Sequence, residues 1–161
     1  MIGERKKTNN HQNRPFLKSG TGFTLLEVLL SIAIIGVLAA TGVPIYQSLQ
    51  NRNDLDIAAT SLAQALRRAQ TLSQAVDGDS NWGVSIQAGN IILFQGISYA
   101  TRNSNFDETT SISPTINLSG FNEVVFSKFS GLPISIGSLT LTSLNNETRT
   151  LSINTKGTVI Y

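Results

Sequence analysis

The sequence predicts an α+β protein: one long N-terminal helix, transmembrane in its first half and amphipathic in its second, packed on a C-terminal antiparallel β-rich head. Three observations carry this. An apolar run of roughly twenty residues extends from Phe23 to Pro44, apolar residues recur at three- and four-residue spacing from Leu55 to Val76, and short β-like segments begin at Asn81. The chain therefore divides into a basic leader, residues 1–22, a membrane-length helix half, 23–50, an amphipathic half, 51–76, and the head, 77–161.

The leader holds the positive charge. Of 12 basic and 10 acidic residues, Arg5, Lys6, Lys7, Arg14, Lys18 and Glu4 fall before Phe23, leaving seven basic against nine acidic residues and a balance of −2. Positive charge ahead of an apolar segment keeps that end cytoplasmic. The expected location is the inner, cytoplasmic membrane, crossed once, with the head outside the cytoplasm.

Within the apolar run stands one carboxylate, Glu27. At mid-membrane depth such a group costs roughly 2.5 to 3.5 kcal/mol, so it needs a partner. Cleavage between Gly22 and Phe23 would create one: the new α-amino group lies one helical turn from Glu27, or beside the Glu27 of a neighbouring copy. A secretory signal peptide shares the basic start and apolar centre, but its core is about 7 to 15 residues long, and Ala39 and Ala40 make a poor cleavage site. A plain single-pass anchor leaves the Gly-Phe-x-x-x-Glu spacing unexplained.

A basic leader, Gly before the cut, Phe after it and Glu at the fifth position thereafter resemble the precursors of type IV pilins and type II secretion pseudopilins. The resemblance implies cleavage by a prepilin peptidase at Gly22–Phe23, N-methylation of Phe23, and assembly with other pilin or pseudopilin subunits through Glu27 into a membrane-anchored filament. The fold it implies is pilin-like.

After Pro44, where a helix bend is expected, Leu55, Ala58, Ala59, Leu62, Ala65, Leu66, Ala69, Leu72, Ser73 and Val76 form one stripe, with Gly78 as the stop. So many alanines suit close packing on a sheet better than a coiled-coil seam. The remainder reads as strands at Trp82–Gln87 and Ile91–Gln95, a hairpin about Ala88-Gly89-Asn90, then strands at 111–118, 123–129, 134–142, 148–154 and 159–161. Pro114 reads as an edge or bulge, and residues 97–110 as a long polar loop. The strand and turn order, with Trp82-Gly83, Val125-Phe126 before Gly131-Leu132-Pro133, and Lys156-Gly157, resembles GspH/FimT-like minor pseudopilins.

Catalysis is not expected. The chain has no Cys, and His11, its one His, lies in the leader, so the mature protein would lack thiolate and imidazole chemistry. Asp77, Asp79 and Asn81, and again Asn103, Asn105 and Asp107, repeat the opening of a calcium loop. Trp82 and Glu108 replace the turn Gly, while Ala88 and Pro114 replace the closing Glu, so no metal and no cofactor are expected. The sequence thus reads as a structural minor pseudopilin or pilin. The alternatives are a FimT-like DNA-binding pilin for DNA uptake and an unassembled membrane-anchored domain. DNA is not the expected partner, because the basic Gly-Arg-x-Arg ending of DNA-receptor relatives is matched here by Gly157-Thr158-Val159-Ile160, without arginine.

Overall fold

The computed structural model describes Gly3 and residues 22–160, without the side chains of 41–44. The leader, residues 1–22, therefore lies outside the described residues except for Gly3 and Gly22. Two compact units divide the chain, Met1–Ala40 and Thr41–Tyr161.

Helix α1 spans Leu25–Gln74. The expected bend at Pro44 falls on a residue of α1 whose side chain is not described. From Leu25 to Ala40 every residue is exposed, so this part of the helix buries nothing within its own unit. The second unit starts differently. Leu55, Ala58, Ala59, Leu62, Ala63, Leu66, Ala69 and Ser73 are buried, and Ala65 and Leu72 pack at the margin. Burying one such Leu stabilises by about 1.5 to 3 kcal/mol. The helix ends because Val76 turns into the left-handed region (φ 57°) and Gly78 follows at φ 62°.

Two antiparallel sheets pack with this stripe, where the sequence suggested a single covered face. The first contains β1 (Trp82–Gln87), β2 (Asn90–Gln95), β3 (Asn103–Ser111) and β5 (Glu123–Phe126) in the order β3-β2-β1-β5. The second contains β4 (Asn117–Gly120), β6 (Gly137–Thr142), β7 (Thr148–Ile153) and β8 (Val159–Ile160) in the order β4-β6-β7-β8. Val84, Ile86, Val124 and Phe126 from the first sheet join Leu139, Leu141, Leu151 and Ile153 from the second in one core with the helix stripe. The β1–β2 hairpin closes over Ala88-Gly89, with Gly89 at φ 81° and Gln87 paired to Asn90.

Two expectations fail in the middle of the head. Residues 97–110 are not a loop: Tyr99–Thr101 forms a short 3-10 turn and β3 occupies Asn103–Ser111. β3 is an edge strand whose side chains are mostly exposed on both faces, so it lacks the apolar alternation that marks a half-buried strand. The strand expected at 111–118 is instead a crossing between sheets. Ile112 and Ile116 are both buried, and the chain turns between them, with the Ile116 amide donating to the Ser113 carbonyl (3.2 Å). Pro114 takes the second position of this turn, which its fixed φ suits. The sequence showed the two apolar anchors but not the corner between them.

Candidate functional site

The helix start is built by local hydrogen bonding. Gly22, Phe23 and Thr24 precede the helix and are exposed, Phe23 by 81%. Thr24 Oγ1 accepts the Glu27 amide (3.2 Å), making Thr24 the N-cap and Glu27 the third helical residue. This is the T-x-x-E spacing of a capping box, a signal legible in the sequence and missed there. The Ser31 hydroxyl donates to the Glu27 carbonyl (2.7 Å). Glu27 thus sits in the first turn, where the helix dipole favours negative charge.

Around this carboxylate the surface is apolar. Leu25, Leu26, Leu29, Leu30, Ile32, Ile34, Ile35, Val37 and Leu38 are all more than half exposed, and the helix holding them is long and apolar enough to cross a membrane. A Cβ placed on Gly22 would meet nothing within 4 Å, and its backbone does not require the left-handed region. The fold itself therefore places no demand for glycine at 22.

In the head, the first candidate metal loop serves as a structural turn. Trp82 Nε1 donates to the Asp77 carbonyl (2.9 Å), Asp79 pairs with Lys128 (3.0 Å), and Asn81 Oδ1 accepts the Lys128 amide (2.9 Å). The second set is not a turn but lies on β3, where Asn103 Oδ1 accepts the Asn105 amide (3.2 Å) and Asp107 pairs with Arg102 (2.7 Å), whose guanidinium lies 3.7 Å from the centre of the Tyr99 ring. Three further pairs are Arg149–Asp56 (2.7 Å), Arg68–Glu108 (2.6 Å) and Arg52–Glu147 (3.7 Å). Arg67 and Lys156 are the cations of the second unit outside these five pairs among the described residues.

Sequence reasoning also missed the polar clamp at the end of α1. Ser73 Oγ accepts the Trp82 amide (2.9 Å) and donates to the Phe126 carbonyl (3.0 Å). Gln70 Nε2 donates to the carbonyls of Gly131 (3.0 Å) and Lys156 (3.1 Å), and the Gln74 side chain lies against Gly131. Serine and glutamine at the edge of an apolar stripe gave the only sign of it.

The family of the prokaryotic N-terminal methylation motif matches residues 18–43. Two fimbrial proteins of Pseudomonas aeruginosa are each 26% identical over 111 residues, covering 64% of this chain and 72% of the relative. Among solved structures, the minor pseudopilin EpsH from the type 2 secretion system of Vibrio cholerae aligns with a TM-score of 0.49 at 15% identity, over 66% of this chain and 94% of that one. A second EpsH structure aligns with the same TM-score at 14% identity. The methylation motif thus spans the start of α1, an apolar helix followed by antiparallel sheets, and over 64% of its length the chain is similar to fimbrial proteins.

Proposed function

We propose that the chain is a minor pseudopilin or pilin, cut by a prepilin peptidase between Gly22 and Phe23, methylated on the Phe23 amine, and inserted with other subunits into a pseudopilus or pilus rising from the inner membrane. The observation that carries this is Gly22-Phe23 immediately before a capped helix whose first turn holds Glu27. A glycine that the fold does not need fits a requirement of the cleaving enzyme. Cutting there would leave an ammonium group at a helix N-terminus, which the helix dipole disfavours and the Glu27 carboxylate offsets.

Intact-mass and N-terminal peptide analysis of membrane-derived protein tests the maturation: the expected chain starts at methylated Phe23, and an uncut chain or one starting after Ala40 refutes it. Glu27→Leu tests the assembly role. The Thr24 cap survives this change because it uses the Glu27 backbone amide, so the variant loses the carboxylate alone. It should enter the membrane at least as well as wild type and fail to enter filaments. Normal incorporation after normal processing would refute the pairing.

The FimT-like alternative requires clustered cations, because duplex affinity arises largely from phosphate neutralisation. Five cations of the second unit are paired with carboxylates, and Arg149, held at Asp56, stands about 18 Å along α1 from Arg68 at 1.5 Å per residue. This favours the structural reading. A salt titration with duplex DNA should give a shallow slope, and micromolar binding at physiological salt that Arg149→Ala and Lys156→Ala abolish would favour DNA uptake instead.

A further inference from the structure

The β6–β7 hairpin is tied to the stretch of α1 that follows the apolar run. Its tip is a tight turn in which the Ser143 amide donates to the Glu147 carbonyl (2.9 Å) and Asn146 adopts φ 60°. Asn145 Nδ2 donates to Ser48 Oγ (3.2 Å), Asn51 Nδ2 donates to Asn145 Oδ1 (3.3 Å), and Glu147 pairs with Arg52. These contacts hold Asn145, next to Leu144, beside Ser48. Leu144 is nonetheless 61% exposed, and Ile45, Tyr46 and Leu49 on the adjoining turn of the helix are 62%, 69% and 61% exposed.

We propose that this tip and the adjoining helix turn form a membrane-contact surface, with Leu144 resting in the lipid headgroup layer while the subunit resides in the bilayer. The inference rests on the membrane-anchored reading given above and adds a second point of contact to it. Chain geometry names the occupant. Val43, the last apolar residue before Pro44, and Ser48 are five residues apart, about 7.5 Å at the helical rise. The headgroup layer is roughly 5 to 8 Å thick on each side of the hydrocarbon core, so Ser48 and the hairpin tip tied to it fall at its depth. Tyr46 is of the residue type that favours this layer, and the turn residues Leu144, Asn145 and Asn146 carry no charge that would oppose entry. Three side-chain contacts to the helix fix the tip there, so its depth follows that of residues 48–52.

The chain has no cysteine, so single cysteines can be labelled without altering a native one. The full chain carrying Leu144→Cys, Ile35→Cys or Thr155→Cys, each labelled with an environment-sensitive fluorophore, would be placed in phosphatidylethanolamine–phosphatidylglycerol vesicles containing a nitroxide on the headgroup or deep in the acyl chain. Thr155 is exposed and lies next to Lys156, whose carbonyl is held by Gln70, about 33 Å along the helix from Ser48. The label at 144 should be quenched by the headgroup nitroxide at least two-fold more than the label at 155, and the label at 35 by the deep nitroxide. Deep quenching at 35 with equal headgroup quenching at 144 and 155 overturns the contact but leaves the anchor standing. Protection of 144 from aqueous iodide without headgroup quenching also overturns it, assigning the patch to a neighbouring protein. Absence of deep quenching at 35 overturns the anchor and the contact together.

Discussion

Replacing Ser73 with Ala removes one oxygen from the interior and disconnects three elements. Ser73 is fully buried, and its hydroxyl links the end of α1 to β1 through the Trp82 amide and to β5 through the Phe126 carbonyl. Ser73→Ala therefore strands one donor and one acceptor, each costing about 1 to 3 kcal/mol when left unsatisfied. The better helix propensity of Ala returns roughly 0.5 kcal/mol. The expected loss is about 1.5 to 5.5 kcal/mol. At roughly 4 °C per kcal/mol for a unit of this size, the melting temperature should fall by about 6 to 22 °C. Trp82, the one tryptophan, is 5% exposed and hydrogen-bonded to Ser73, so its fluorescence during urea unfolding of the full chain in detergent micelles reports on the damaged site. Ser61→Ala, at a partly exposed position of the same helix, serves as the control and should shift stability by less than about 0.5 kcal/mol. A Ser73→Ala loss equally small, with an unchanged urea slope, would show that the hydroxyl does not join helix to sheets.

A fragment of residues 51–161 retains the buried stripe and should be soluble with mixed helix and strand by circular dichroism. A fragment of 77–161 exposes Val84, Phe126, Leu141 and Leu151 and should aggregate or unfold on gel filtration. Gly131→Ala should cost about 1 to 3 kcal/mol in the same urea assay, because residue 131 sits at φ 62° and the new methyl group meets the Gln74 side chain. Asp56→Ala should cost less than about 1 kcal/mol, and the difference should shrink in high salt, since its pair with Arg149 is half in solvent.

The features legible in the sequence were those with one physical explanation. A carboxylate in an apolar run has few places to go, so Glu27 stood out. The stripe from Leu55 to Ser73 was equally plain because its spacing repeats for five turns, although Ala63, buried at 1%, escaped it. β3 was hidden for the opposite reason. Asn103 to Ser111 carries one large apolar side chain, Phe106, whose ring meets Trp82 edge-on at 6.5 Å, and polar residues elsewhere. Its strand identity comes from pairing with β2, which no local pattern announces. The division into two sheets was likewise invisible, because it depends on the corner at Pro114 and on which strands find each other. At the candidate site, the residue types were readable and their local hydrogen bonding was not, as the missed Thr24 cap shows.

The stripe and the clamp at its end do different work. Sliding α1 by one turn, about 5.4 Å, would bring Leu62 to the place of Ala58 and Ala59 to the place of Leu55, so the alternation of large and small buried residues already opposes it. Packing thus favours one position of the helix. The clamp does not tolerate such a slide. Ser73, Gln70 and Gln74 lie on one turn and engage β1, β5 and the loops at Gly131 and Lys156, contacts that reach both sheets. Moving the helix would break all of them at once and leave the Trp82 amide and the Phe126 carbonyl buried without partners. Apolar burial supplies most of the stability of the head, and the polar turn reinforces the one helix register in which both sheets fit.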